Sequence, residues 1–96
     1  MRFCPWYSLA DAVRMAPVGP AVLQLRLADG LVDYPRGKSA MVHYDADEEL
    51  SRALDRLRQL ALGALWVRFA TVENPRERLQ RLLREFEDRF GAAPGA

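Results

Sequence analysis

The chain has 96 residues, half of them hydrophobic and 28% charged, which is the composition of one soluble globular domain rather than of a disordered chain. Its formal net charge is +1, so charge alone gives no argument for a nucleic-acid or membrane partner. Lys38 is the only lysine, so arginine supplies nearly all the positive charge. The bias is typical of a GC-rich genome, such as that of a thermophilic bacterium, and it weakens any argument that the arginines were selected to bind phosphate.

Cys4 is the only cysteine, which rules out an intrachain disulfide and a metal site built on thiolates. We expect Cys4 to be a partly buried small hydrophobic residue. The first residues lack the apolar run of a signal peptide, and no segment approaches the roughly 20 apolar residues of a membrane span. These features predict a cytoplasmic protein.

The first half of the chain predicts one helix and a hairpin. Ser8 can cap a short helix over Leu9–Met15. Ala21–Leu27 alternates apolar and polar residues, the pattern of a half-buried strand. Asp29 and Gly30 then predict a hairpin turn into a second strand at residues 31–34, and residues 40–44 also favour extended structure.

The second half predicts helix, strand and helix. The first of these helices is expected to begin with four acidic residues, Asp45, Asp47, Glu48 and Glu49, and to end at Gly63. Residues 64–72 predict a third strand, and Asn74 followed by Pro75 predicts the cap of a last helix that stops at Gly91. The fold class is therefore α/β (α+β): a small, three-stranded, mainly antiparallel sheet flanked by helices, with a core over about residues 8–90 and a flexible tail at 91–96.

The run Tyr34-Pro35-Arg36-Gly37-Lys38-Ser39 carries the clearest motif. A phosphate-binding P-loop would need a glycine five residues before Gly37, where Val32 stands, so this class is excluded. Several segments together resemble the GIY-YIG nuclease superfamily in their order and spacing. They are Ala16 to Pro20 before the first strand, Val32 to Tyr34 and Gly37 to Ser39 after it, and Asn74-Pro75 before the last helix. The resemblance covers residues 8 to about 94 and implies that family's fold.

The residues that would carry the family's chemistry are largely replaced. The family's first tyrosine falls on Ala21 or Val22, its metal-binding glutamate on Leu83, and its arginine near His43. Tyr34 matches the second tyrosine, with one extra residue before Gly37. Since no carboxylate matches the magnesium ligand, the resemblance implies a catalytically degenerate domain that needs no cofactor, with Tyr34 and His43 as vestigial catalytic candidates.

Three functions remain open. In the first, the degenerate domain binds DNA or RNA phosphate through Tyr34, Arg36, Lys38, Ser39 and His43; the structural alternative is that these residues only form a solvated hairpin edge. In the second, the protein is a homodimeric interaction module that uses the strand edge at residues 40–44 and the surroundings of two tryptophans. The third is an active Mg²⁺-dependent endonuclease with relocated residues, namely Tyr34, His43 and one of Glu48, Glu49 or Glu85. We expect four aromatic residues to be core or interface anchors rather than base-stacking platforms: Phe3, Trp6, Tyr7 and Trp66.

Overall fold

The computed structural model describes residues 1–60 and 65–95. This part of the chain contains three helices and five strands, in the order α1 (Leu9–Met15), β1 (Ala21–Leu27), β2 (Val32–Tyr34), β3 (Gly37–Ser39), β4 (Met41–Asp47), α2 (Leu50–Gln59), β5 (Leu65–Thr71) and α3 (Pro75–Phe90). The predicted α+β class with a three-stranded antiparallel sheet is confirmed. No helix among the described residues has the length and apolar character needed to cross a membrane.

Strand β1 is the centre of the main sheet, whose order is β4-β1-β5. Both neighbours run antiparallel to β1, so β4 and β5 are parallel to each other and α2 forms the crossover between them. The first five residues of β1 are buried. The sequence analysis expected only one face of this strand to be covered; helices in fact lie on both faces of the sheet.

The two faces differ in what covers them. Helices α1 and α2 cover one face, where Leu23, Leu25 and Val67 join the apolar residues of α2 in the main core. Helix α3 packs against β4 and β1 on the other face, with Phe86 buried beneath it. Near β5, this second face is covered by side chains of the N-terminal segment rather than by a helix. This part of the face forms the surface described below.

The N-terminal segment pairs with the outer edge of β5. Cys4 N–H donates to the Phe69 carbonyl at 2.9 Å, and Tyr7 and Val67 exchange two backbone hydrogen bonds of 2.7 and 2.8 Å. Cys4 is half-buried against the core, as predicted, and its Sγ accepts a hydrogen bond from Phe69 N–H at 3.3 Å.

The predicted hairpin between β1 and residues 31–34 is wrong. Strand β1 pairs with β4, and β2 pairs with β3 in a separate two-stranded sheet. Leu27 N–H donates to the Ala40 carbonyl, so the segment between them, which contains β2 and β3, leaves the main sheet and returns to it at neighbouring positions. Gly30, at φ +86°, provides the bend that lets the chain leave the sheet.

The predicted start of α2 is also too early. Asp45 and Asp47 belong to β4, and α2 begins at Leu50. Asp47 Oδ1 accepts a hydrogen bond from Glu49 N–H, and the Glu49 carboxylate accepts one from Gly19 N–H, so these acidic side chains stabilise the turn before the helix. The predicted stop at Gly63 lies outside the described residues.

Helix α3 has the predicted boundaries. Pro75 is its first residue, and Gly91 at φ +84° is its C-cap. Asn74 occupies the N-cap with a left-handed backbone at φ 54°, and its side chain makes no capping hydrogen bond, contrary to the expected cap chemistry.

Candidate functional site

Tyr34 is a buried structural residue. Its hydroxyl donates to the Met41 carbonyl at 2.6 Å and accepts a hydrogen bond from Gly95 N–H at 3.2 Å. Its ring packs against Phe86 and Phe90 of α3, with centroids 5.0 and 5.8 Å away. The side chain therefore fixes the β2–β3 hairpin and the C-terminal residues to the sheet.

Arg36 caps the end of α3. Its backbone N–H donates to the Phe90 carbonyl at 2.9 Å, and its guanidinium donates to the Glu87 carbonyl at 3.1 Å. A cation at this position complements the negative end of the helix dipole. The guanidinium remains exposed, but one of its donors is committed to the helix.

Lys38 and Ser39 lie at the mouth of a cleft. The Lys38 ammonium is 3.6 Å from Asp33 Oδ1 in an exposed ion pair, which has little effect on stability, and Ser39 Oγ accepts a hydrogen bond from Met41 N–H. The cleft has a volume of about 490 Å³ between the hairpin, the sheet and α3. We call it the hairpin–helix cleft; its polar lining is Gln24, Lys38, Ser39, Tyr44, Glu85 and Arg89.

His43 lies on the opposite face of β4 from this cleft. It pairs with Leu25, which belongs to the core under α1 and α2, whereas its neighbour Tyr44 pairs with Gln24 and contacts Phe86. Side chains alternate across a strand, so His43 does not share a face with Tyr34 or Lys38. Since β4 is the outer strand of the sheet, His43 lies on an edge strand.

Tyr44 is a half-buried phenol that lines the cleft. Burial raises the pKa of its phenol, the nearby Arg68 lowers it, and Tyr34 and Glu85 raise it further. The phenol is therefore a neutral hydrogen-bonding group at physiological pH. Glu85 lies along this cleft, whereas Leu83, the residue that the resemblance aligned with a metal-binding glutamate, is an apolar side chain.

A second polar surface lies beside the cleft on the same face. Arg68, Gln24 and Tyr44 form one row across β5, β1 and β4. Arg68 Nε donates to Gln24 Oε1 at 2.7 Å, and Arg68 Cζ lies 4.5 Å from the ring centroids of both Phe3 and Trp6. Gln24 therefore joins the cleft to the second surface.

Arg26 and Trp66 extend this surface by one more row. They are paired across β1 and β5, and Arg26 Cζ lies 5.3 Å from the Trp6 ring centroid. Trp6, Arg26 and Trp66 line a pocket of about 210 Å³. Trp66 is 39% exposed, so of the predicted roles of core or interface anchor it does not fill the first. We call this set the arginine–tryptophan surface; it comprises Phe3, Trp6, Arg26, Trp66 and Arg68.

The two arginines of this surface, Arg26 and Arg68, form no ion pair with a carboxylate in the described part of the chain. Burial lowers the pKa of Arg68, and the positive charge of Arg26 acts in the same direction. Arginine side chains carry a positive charge, so this part of the face is locally cationic although the whole chain is nearly neutral.

Sequence reasoning missed this surface because it depends on strand pairing. The alternation of β1 and β5 predicts which residues share a face within each strand, namely Gln24 with Arg26 and Trp66 with Arg68. Only the register between the strands brings the two pairs together. The contribution of Trp6 further requires the N-terminal segment to lie along β5.

Among the described residues, no group of three or more His, Cys, Asp or Glu side chains is placed to hold a metal ion. Comparison of the chain with protein-family models, with curated proteins and with solved structures finds no match.

Proposed function

We propose that this protein binds the phosphates of nucleic acid along the arginine–tryptophan surface and the adjoining hairpin–helix cleft. It does so without cleaving the nucleic acid. The observation that carries the proposal is the pair of neighbouring arginines, Arg26 and Arg68, with no carboxylate in salt-bridge contact among the described residues. Repulsion between two such groups is relieved by an anion that contacts both.

The geometry of the pair suits a phosphate. Trp6 contacts both guanidinium groups through its ring, and Gln24 accepts a hydrogen bond from Arg68, so the rotational freedom of both side chains is reduced before a ligand arrives. A planar guanidinium presents several N–H donors that match phosphate oxygens. Preorganised donors lose less entropy on binding than freely rotating ones.

Lys38, Ser39 and Arg89 extend the same surface through the cleft. Of the five residues that the sequence analysis assigned to phosphate, Lys38 and Ser39 therefore lie on the proposed surface, at its extension into the cleft. Tyr34 and Arg36 would act indirectly by positioning the hairpin, because their polar groups contact α3, Met41 and Gly95. A purely binding role is also supported by the Tyr34 hydroxyl, whose proton is donated to a backbone carbonyl.

The test is a fluorescence-anisotropy titration of labelled DNA and RNA at two salt concentrations. Arg26→Gln should lower the affinity about tenfold at low salt, as the loss of one charge-assisted contact worth about 1.5 kcal/mol would do. It should also reduce the slope of log affinity against log salt by about one. Arg14→Gln is the matched control, because it removes the same charge from an exposed ion pair on α1.

Equal affinities of the Arg26→Gln and Arg14→Gln variants would refute the placement of the site. Absence of binding by the native chain at low salt would refute the function itself. Nicking of plasmid DNA that disappears both with a chelator and in Tyr34→Phe would instead favour the endonuclease alternative.

A homodimeric interaction module is the second candidate. The observation that favours it is the position of β4, which contains four of residues 40–44 and is the edge strand of the main sheet. An edge strand can pair with the same strand of another copy. Light scattering should show a dimer if this candidate is right and a monomer at high concentration if it is wrong.

A further inference from the structure

The pocket between Trp6 and Trp66 has the composition of a site for an aromatic ring. Two indole rings and one guanidinium, that of Arg26, form its lining. Its volume of about 210 Å³ is many times the roughly 10–15 Å³ that one water molecule needs, so there is room for a flat heterocycle against these side chains. We propose that this pocket receives an unpaired base, so that the ligand is single-stranded nucleic acid; the inference rests on the phosphate-binding function proposed above.

The exposure of Trp66 supports this assignment. A tryptophan that served only as a core anchor would be largely buried, whereas 39% of Trp66 is accessible. The ring lies beside Arg26 in the strand register, so an incoming base would meet an indole and a guanidinium plane together. Bases stack on both kinds of surface without regard to their sequence.

The charge of the surroundings points to nucleic acid rather than to a protein partner. A base in this pocket lies next to Arg26 and Arg68, which make no salt bridge with a described carboxylate. The Nε of Arg68 donates to Gln24 and that of Arg26 to the Leu27 carbonyl, which leaves the terminal N–H groups of both guanidiniums to contact the phosphates that flank the base. The chain of contacts then continues from Arg68 through Gln24 to the hairpin–helix cleft, where Lys38 and Arg89 offer further cations. Alternating aromatic and cationic groups of this kind match the alternating bases and phosphates of a single strand.

The same geometry discriminates against duplexes. In a duplex the bases are stacked on one another, so a base can enter the pocket only after it is unstacked and unpaired. We therefore expect a single strand to bind at least tenfold more tightly than a duplex of the same sequence at the same salt concentration. Inorganic polyphosphate, which has charge but no bases, should bind through the arginines alone.

Intrinsic fluorescence can report on this pocket directly. The chain contains two tryptophans, and both line the pocket. We expect a short oligothymidylate to quench the tryptophan emission of the native protein, since a stacked base lies against the rings. Polyphosphate should leave the emission nearly unchanged even at saturation.

Variants of Trp66 complete the test. Trp66→Ala should lower the affinity for oligothymidylate about tenfold and leave that for polyphosphate unchanged, whereas Trp66→Phe should keep most of the affinity because it keeps an aromatic face. Leu60→Ala is the control, since Leu60 is a comparably exposed apolar residue at the end of α2. Thermal melts would verify that each variant is folded; if Trp66→Ala is not, the comparison between native protein and Trp66→Phe, with the quenching experiment, decides.

The outcomes separate this inference from the function on which it rests. Equal binding of oligothymidylate and polyphosphate, with no quenching, would overturn the base site and leave the phosphate function standing. Failure of both ligands to bind at low salt would overturn both. Loss of self-association in Trp66→Ala without a change in oligothymidylate binding would show that the surface is a protein interface, and would also overturn the inference.

Discussion

Tyr34→Phe should destabilise the protein and change its ligand affinity only slightly, because the ring that holds the β2–β3 hairpin against α3 remains. The substitution deletes one oxygen atom that donates to the Met41 carbonyl and accepts from Gly95 N–H, while the ring contacts with Phe86 and Phe90 remain. Each lost hydrogen bond contributes about 0.5–1.5 kcal/mol, and a carbonyl left without a partner costs about 1–3 kcal/mol where water cannot replace the donor. Because Tyr34 is only 7% exposed, we expect a loss of about 1–2 kcal/mol.

Thermal unfolding followed by circular dichroism measures this loss. In a domain of this size 1 kcal/mol shifts Tm by roughly 4–8 °C, so Tm should fall by about 5–15 °C. Tyr7→Phe is the matched control, because it deletes the same atom from a half-buried tyrosine whose hydroxyl makes no hydrogen bond with the described residues. Its Tm should change by less than about 2 °C, as is typical of a substitution that breaks no buried contact.

Equal effects of the two substitutions would refute the reasoning, because the hydrogen bonds of Tyr34 would then add nothing to stability. A second refutation would be a loss of nucleic-acid affinity in folded Tyr34→Phe as large as that in Arg26→Gln, since the hydroxyl would then do more than hold the hairpin in place.

Three further predictions concern pH and backbone strain. The pKa of Asp47 is lowered, first by the hydrogen bond from Glu49 N–H and then by Arg56. The ionised Asp47 carboxylate therefore stabilises the fold above the ordinary pKa of 3.8, and this stabilisation is lost as the pH falls through the lowered pKa. Urea midpoints at pH 3 and pH 6 should differ less in Asp47→Asn than in the native protein. Burial raises the pKa of Tyr44, so the stability of the native protein should decline as the pH rises above the ordinary pKa of 10.0. The Tm of Tyr44→Phe should depend less on pH in that range. The same decline in both proteins would contradict the assignment of this pH dependence to Tyr44. Gly91→Ala should lower the free energy of unfolding by about 1–2 kcal/mol or more, because a Cβ would sit at φ +84° and 3.0 Å from Pro35; an unchanged urea midpoint would show that the hairpin moves aside without cost.

Local signals predicted the elements better than their partners. Ser8 accepts a hydrogen bond from Asp11 N–H at the start of α1, and Gly91 ends α3, as the capping patterns indicated. The Asp29-Gly30 turn pattern was misleading, because the competing pairing between Leu27 and Ala40 lets β4 take the place beside β1. A turn signal reports how the chain bends and does not say which strand it meets afterwards.

The candidate surface was harder to predict than the fold, because its residues are far apart in sequence. Nothing local to Trp6 indicates that its ring will lie against Arg26 and Arg68. The hairpin residues were conspicuous in sequence, but Tyr34 and Arg36 make hydrogen bonds within the fold. Short polar motifs can serve architecture as readily as ligand binding, and only the contacts of each side chain distinguish the two uses.

The attachment of the N-terminal segment makes the ligand surface separable from the rest of the fold. Among the described residues, this segment is held against β5 by three backbone hydrogen bonds, by the hydrogen bond from Phe69 N–H to Cys4 Sγ and by the stack of Tyr7 on Phe69. Local opening of these contacts would withdraw Phe3 and Trp6 from the arginines while leaving the helices and the three-stranded sheet in place. If only the closed form, with this segment on β5, binds the ligand, the apparent affinity is the intrinsic affinity multiplied by the fraction of closed molecules. Ligand binding then favours the closed form, so it should slow hydrogen exchange at the Tyr7 and Val67 amides more than at the centre of the sheet.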